Sequence, residues 1–587
     1  MNKKHMWRYN LVGGLMFIMP LMVVFQMVRI KVNPRQVEKL ISVGKAYSGE
    51  YQILTPARGR IYDRWGSLMV GNKTAYEVGI EIRKVRNPST IAQTSEMVLG
   101  LDYADVFAAA SLEATDTAVY RVVATNVEEE KINQLILLIE QMQHLYGSSR
   151  EKDAPSLSGL AFKPHLQRIY PDNELASNII GFVNREGVGF FGVEEKFNDL
   201  LAGDESLIWV PLHPGRVNEL PEIPEGASLV LTIDRAIQRV MERIIDDAIE
   251  ETGSDSGTLV VIDPQTGELL ALATTKRLDA NEYWNYQEVF TDETPFNPIV
   301  SQAYEPGSVF KIFTMAAALD SGAVTTETEF IDTGVFEIGG TRIYNWNMGA
   351  WGPQNMQGCM QHSLNVCLAW VATQLGPKDF YQYMLSFGIG HLTGVDLAGE
   401  VPGRLKAPGD GDWYDADLGT NAFGQGVSVT PIQMAIAASA LANQGKMMAP
   451  HVVRSVINDG YQHDIEQRVI GMPIRAKTAN TLSEILARSL EKESSDALVT
   501  GYKLAGKTGT AEIPTQFGYT TNETNASFVG WGPIDDPQFL VYVWLERPES
   551  SPWGSVVAAP VFRKAVEQLV VLMDIPPDDV RAKLHGN

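Results

Sequence analysis

Ser308-Val309-Phe310-Lys311-Ile312-Phe313-Thr314-Met315-Ala316-Ala317-Ala318-Leu319 carries a single charge, the ammonium of Lys311. A run that is apolar all round is the pattern of a helix buried on every side. Pro306-Gly307 just before it suits a turn that leaves Ser308 at the helix N-terminus, its hydroxyl beside free backbone N–H groups. Ser308 and Lys311 stand at i and i+3, so their side chains meet on one face. A serine hydroxyl is a weak nucleophile until a neighbouring base takes its proton, and a lysine does so only when its own pKa is depressed. Burial disfavours the ammonium form and moves the amine toward the range of a general base. The stretch therefore reads as a Ser–Lys pair, with Ser308 the nucleophile and Lys311 the manager of its proton.

S-x-x-K by itself is weak, because it recurs at Ser42 to Lys45, Ser149 to Lys152 and Ser489 to Lys492, where no chemistry is implied. Two further elements sharpen it: Ser363-Leu364-Asn365, the only S-x-N in the chain, and Lys507-Thr508-Gly509-Thr510, the only K-T-G. Ser363 can pass protons toward a departing amine, and Asn365 can orient Lys311 or hold a substrate amide. Lys507 offers positive charge, Gly509 lets a substrate backbone approach, and the hydroxyls of Thr508 and Thr510 can bind a carboxylate. Together they suit the C-terminal end of a peptide.

The surroundings predict an α+β fold. Residues 234–251 are apolar at helical spacing and end at Gly253. Residues 257–262 and 269–274 are β-prone runs joined by Asp263-Pro264-Gln265-Thr266-Gly267, which suits a tight turn. Residues 503–513, 527–531 and 539–545 read as three more strands, followed by a helix over 561–572. Mostly helical patterns lie between, including the Ala-rich stretch 431–443, so a five-stranded antiparallel sheet flanked by helices from the middle of the segment is expected. Residues 32–233 differ in character, with short strand-like runs such as 76–82 and a polar, loop-like stretch at 146–159, and read as a separate non-catalytic module. There is no repeat of solenoid length.

Residues 11–28 are free of charge, about 27 Å as a helix, which reaches across a hydrocarbon core. A cleaved signal peptide is the competing reading, but the stretch is longer than the usual h-region and no small-x-small cleavage site follows. An uncleaved single-pass anchor is therefore expected, with residues 1–10 cytoplasmic, a pedestal over 32–233 and a catalytic domain over 234–587. Charge does not orient the span, because Lys3, Lys4 and Arg8 face Arg29, Lys31 and Arg35.

At 587 residues and 45% apolar, the chain can bury at least one large core. Acidic residues outnumber basic ones 71 to 48, which argues against nucleic acid as a partner. The nine histidines contain no H-E-x-x-H and sit near no cysteine pair at zinc-like spacing, so no metal and no cofactor are expected. Cys359 and Cys367 are the only cysteines; if the residues between them are helical they stand too far apart for a disulfide, and both read as packing residues.

The three elements, in that order, resemble those of penicillin-binding proteins and class A β-lactamases. The resemblance extends along nearly the whole chain to monofunctional, class B penicillin-binding proteins. It begins at Arg58-Gly59-Arg60-Ile61-Tyr62-Asp63-Arg64-Trp65-Gly66, which looks like their pedestal signature. It continues through Arg168-Ile169-Tyr170-Pro171, Gly189-Phe190-Phe191-Gly192-Val193-Glu194, Leu231-Thr232-Ile233-Asp234 and Phe423-Gly424-Gln425-Gly426 with Thr430-Pro431. Trp65 departs from the family pattern, which has a smaller polar residue there.

The resemblance implies a cell-membrane DD-transpeptidase with its bulk outside the cytoplasm. Its serine attacks D-Ala-D-Ala of a peptidoglycan stem peptide, releases D-alanine, and passes the acyl group to an amine on a neighbouring stem. It also implies an oxyanion hole from the N–H groups of Ser308 and Thr510, acylation by β-lactam antibiotics, and cooperation with a polytopic glycosyltransferase of the SEDS type and other wall-synthesis proteins. The alternatives are a DD-carboxypeptidase, which uses water as acceptor, and a β-lactam sensor or β-lactamase-like acyl-enzyme protein. The motifs do not separate roles in elongation, division or sporulation.

Overall fold

The computed structural model describes residues 6–46, 49–115, 119–147, 151, 154–211, 223–291, 294–493, 495–515 and 518–584. The chain divides into two compact units, residues 1–57 with 202–226, and residues 58–201 with 227–587.

The first unit holds the helix Met6–Val32, which contains the apolar stretch read from the sequence as a span. A second helix, Pro34–Ala46, follows, and the strands Gly49–Leu54 and Ser206–Pro211 pair antiparallel.

The second unit contains two sheets. One has seven strands, running Tyr461–Asp464, Val453–Asn458, Ser228–Leu231, Ile61–Tyr62, Leu68–Glu81 and Tyr120–Glu128, with Leu160–Ile169 also paired to Leu68–Glu81. Its strands thus come from both sides of residue 233. The short run expected at 76–82 is the end of Leu68–Glu81. The loop expected at 146–159 lies partly outside the described residues.

Three stretches singled out in the sequence meet beside this sheet. Glu194, fully buried, accepts from Arg58 Nε at 2.7 Å and Arg168 Nε at 2.8 Å. A carboxylate shared by two guanidiniums is tolerated in the dry interior because each charge is compensated. Glu194→Gln is expected to destabilise the protein by about 3–5 kcal/mol, the range for breaking one side of a buried ion pair, read as a fall in the urea midpoint. Trp65 also finds its reason here: its indole N–H donates to Asp234 Oδ2 at 2.7 Å, while Asp234 Oδ1 caps the next helix through the N–H groups of Ala236 and Ile237.

That helix, α1 (Arg235–Thr252), ends at Gly253 in the left-handed conformation. Then come β1 (Ser256–Ile262), β2 (Leu269–Thr274), α2 (Lys311–Ser321), α3 (Met356–Gln361), α4 (Asn365–Leu375), α5 (Pro431–Ala442) and α6 (Ala476–Glu493). The chain closes with β3 (Ala505–Thr515), β4 (Gly518–Gly532), β5 (Phe539–Glu546) and α7 (Gly554–Leu572). The hairpin turn between β1 and β2 stands where Pro264 and Gly267 placed it, with Gly267 at φ 83°.

These five strands form an antiparallel sheet in the order β2-β1-β5-β4-β3. Alternation along β5 sends Leu540, Tyr542 and Trp544 into a core shared with α2 and α5. Val541, Val543 and Leu545 enter a second core shared with α1 and α7. A strand of period two buried on both faces reads as a continuous apolar run, as β5 does. Helix α5, capped by the Thr430–Gln433 box, is buried along its whole length. Two limits differ from expectation. Helix α7 begins at Gly554, not at 561, with Pro560 inside it; burial of most of its length offsets the backbone bond a proline cannot donate. Strand β4 begins at Gly518, ahead of 527, because backbone pairing with β3 carries its polar first half.

Candidate active site

Ser308 lies in a 3₁₀ turn, Gly307–Phe310, that runs directly into α2. Gly307 has φ 60°, a Cβ there would sit 2.7 Å from Thr510 O, and its N–H donates to Gly424 O at 3.0 Å. Only glycine allows this turn to lie against β3. The approach is close from the other side as well, since a Cβ on Gly509 would stand 2.9 Å from Val309 Cγ1. Residues 308–311 are thereby brought beside 507–510 on β3, the edge strand of the sheet.

Every residue of α2 from Lys311 to Ala318 is buried. Lys311, 0% exposed, has its Nζ 2.6 Å from Ser363 O, 3.1 Å from Ser363 Oγ and 2.7 Å from Asn365 Oδ1. Burial, and then the nearby Lys507 ammonium, hold its pKa well below the usual lysine value. A neutral amine has two hydrogens and one lone pair. Donation to Ser363 O and Asn365 Oδ1 uses both hydrogens and leaves the lone pair to receive a proton from a hydroxyl. Asn365 is fixed at its other end, because Nδ2 donates to Tyr344 O at 3.0 Å.

The turn that presents Ser363 and Asn365 is a Schellman closure of α3. Ser363 N–H donates to Met360 O at 3.3 Å and Leu364 N–H to Cys359 O at 3.0 Å. Its left-handed position, where glycine is usual, is held by Ser363 at φ 53°. A side chain there costs roughly 1–2 kcal/mol. The tight turn corrects the reading of the cysteines. Cys359 and Cys367 are not separate packing residues but a disulfide, their Cα atoms 5.9 Å apart. The segment between them is not one helix: α3 stops at Gln361, the chain reverses, and α4 starts at Asn365.

Lys507, 5% exposed, donates to Thr508 O at 3.1 Å. Burial lowers its pKa to about 8, against the raising field of Glu493. Thr510 Oγ1 accepts the N–H of Gly554 at 3.0 Å, so this hydroxyl also anchors the start of α7, although its own proton stays free to donate. All eight residues singled out in the sequence thus lie on three adjoining segments: the 308–311 turn, the 363–365 turn and β3.

Others around the site were not foreseen. Glu305 accepts from Gly426 N–H at 3.0 Å and from Tyr519 Oη at 3.1 Å, and burial raises its pKa. It links the serine turn to the Phe423–Gly426 stretch, whose motif was visible, and to the β3–β4 hairpin, which no sequence signal connects to it. Trp346 and Trp553 meet edge to face at 5.5 Å, and the Trp346 indole donates to His362 O at 3.3 Å, beside Ser363. Among the described residues no three His, Cys, Asp or Glu side chains converge as a metal site.

Residues 257–567 match the family model described as "Penicillin binding protein transpeptidase domain", and residues 53–211 match "Penicillin-binding Protein dimerisation domain". The chain is 30% identical over 559 residues to "Stage V sporulation protein D" of Bacillus subtilis, covering 92% of this chain and 82% of that protein. It is 29% identical over 465 residues to "Peptidoglycan D,D-transpeptidase FtsI homolog" of Mesostigma viride, covering 72% and 76%. Among solved structures, penicillin-binding protein 2X of Streptococcus thermophilus superposes with a TM-score of 0.73 at 21% identity, over 90% of this chain and 80% of that one. The aztreonam complex of penicillin-binding protein 3 from Mycobacterium tuberculosis gives 0.68 at 22%, over 90% and 98%. These last two likenesses are of fold.

Proposed function

Because the chain belongs to the penicillin-binding proteins with a dimerisation and a transpeptidase domain, we propose that it is a class B peptidoglycan D,D-transpeptidase acting through an acyl-enzyme on Ser308. The observation that carries this reading is the fully buried Lys311 amine, held by Ser363 and Asn365 one turn from Ser308.

Lys311 takes the proton of Ser308 as Oγ attacks the penultimate D-Ala carbonyl of a stem peptide. The N–H groups of Ser308 and Thr510 receive the oxyanion. The C–N bond breaks, and Ser363 passes a proton to the departing D-alanine. Lys507, with the hydroxyls of Thr508 and Thr510, receives the substrate carboxylate, and Gly509 leaves room for its backbone along the edge strand. An amine of a second stem then attacks the ester, restores the hydroxyl and completes the cross-link. A β-lactam follows the first half, but its leaving nitrogen stays tethered and blocks the acceptor.

The helix containing Trp7–Arg29 anchors the enzyme in the cell membrane as a single pass, with the rest of the chain outside the cytoplasm. Residues 32–233 serve as pedestal and 234–587 as catalytic domain. Stem peptides, β-lactams and a SEDS-type glycosyltransferase are its partners.

Incubation of the detergent-solubilised protein with a pentapeptide stem and an excess of an amine-bearing stem tests this. Cross-linked dimer with release of D-alanine is expected. Tetrapeptide without dimer would identify a carboxypeptidase, and rapid turnover of labelled penicillin a β-lactamase.

A further inference from the structure

One covalent bond grips the Ser363–Asn365 turn at both ends. Cys359 and Cys367 are eight residues apart and joined. Between them lie Ser363, in its left-handed conformation, and every group that bonds Lys311 Nζ. Cys359 stands two residues before the end of α3, and its carbonyl closes the turn on the Leu364 N–H. Cys367 is the third residue of α4. Both cysteines are fully buried, as are Leu364 inside the turn and Val366 beside it.

We infer that this disulfide is a positioning device for acylation, and that the enzyme's rate depends on the oxidation state of the two cysteines. The inference rests on the Ser308 acyl-enzyme reading above. With the bond closed, α3 and α4 cannot separate at the turn, and a serine is kept in a region its Cβ disfavours. The Ser363 carbonyl, the Ser363 hydroxyl and the Asn365 amide then converge on one amine. With the bond open, noncovalent contacts alone hold Ser363 left-handed: the two turn hydrogen bonds, the bonds to Lys311, those of Trp346 to His362 O and of Asn365 to Tyr344 O, and the burial of Leu364. Ser363 can relax to negative φ, and that rotation swings its carbonyl away from Lys311. The base loses its orientation while the five-stranded sheet, which shares no residue with the turn, stays paired.

The chemistry balances with a dithiol as reductant. The Cys359–Cys367 S–S bond breaks and each sulfur gains one electron and one proton. The dithiol's sulfurs lose the same and join to each other. A small disulfide such as oxidised glutathione reverses the exchange. Because neither sulfur is exposed, the attacking thiolate must wait for the turn to open.

The test uses the full chain in detergent and a fluorescent penicillin. The acylation rate constant at Ser308 is measured against pH for untreated, dithiothreitol-reduced and re-oxidised wild type and for Cys359→Ala/Cys367→Ala, with free thiols counted by alkylation and secondary structure followed by circular dichroism. The reduced wild type and the double variant are expected to acylate about ten- to a hundredfold more slowly, as a misplacement of roughly 1 Å does. The ascending limb of their pH profile should shift, because the displaced acceptors no longer bias Lys311's proton. Re-oxidation restores the wild type, and the double variant ignores both reagents. A purely structural staple would lower the melting temperature and leave that limb where it was.

Full rate with an unmoved pH profile in reduced, doubly alkylatable wild type overturns the inference, as does finding both thiols free in untreated protein. Should the double variant not fold, the reduced wild type decides; should the folded wild type resist reduction, the double variant does. If the untreated protein labels nowhere at Ser308, the acyl-enzyme reading falls instead.

Discussion

Ser308→Ala is expected to abolish covalent labelling by fluorescent penicillin, with no adduct on any other residue by mass spectrometry, while the thermal melt stays within a few degrees of wild type. No second hydroxyl can substitute. Ser363, the other serine of the site, lies across Lys311 with its backbone locked in the turn that orients that lysine. Losing one half-buried hydroxyl at the head of a buried helix removes little packing, so the loss is of chemistry and not of fold. Cross-linking should fall by at least about 10³-fold, since the covalent intermediate itself is gone. An adduct elsewhere, or residual cross-linking at a tenth of wild type, would falsify the assignment.

Lys311→Met is expected to reduce acylation by about 10²–10⁴-fold, the range for a positioned general base. Its effect on stability should have a different sign from most core substitutions. The methionine matches the apolar surroundings of α2 and removes the cost of an amine buried in a dry helix. Against this, Ser363 O and Asn365 Oδ1 lose their donor.

The pH dependence separates the two contributions. The folded-state pKa of Lys311 lies well below its unfolded value near 10.5. Below the folded pKa the buried ammonium carries its full cost. Between the two values the unfolded chain binds the extra proton, so stability rises with pH and the cost is gone above the unfolded pKa. The stability advantage of Lys311→Met over wild type should therefore shrink as pH rises through that window, as seen in urea midpoints. Activity follows the same base. Wild-type acylation should rise as Lys311 loses its proton and fall again as Lys507, lowered to about 8, loses the charge that receives the carboxylate. The methionine variant should keep only the descending limb. An ascending limb that survives in it would assign the base elsewhere.

What could be read from the chain alone was what neighbours in sequence decide. Asp234 and Gly253 bound α1 because capping and left-handed termination involve residues a few positions apart. The Asp263–Gly267 turn, the burial of Lys311 and the three motifs of the site are local patterns of the same kind. The disulfide was misread because continuous helix was assumed across residues 359–367, and one left-handed serine reverses the chain there. Other features needed pairings between distant segments. Val453–Asn458 joins Ser228–Leu231 across more than two hundred residues, Tyr519 reaches Glu305, and the Thr510 hydroxyl receives Gly554. Periodicity and spacing report which face of an element is buried, but not which other element buries it. That choice is made when the helices pack on the sheet, and it is there that Lys311 is buried deeply enough to be a base and meets the 363–365 turn that orients it.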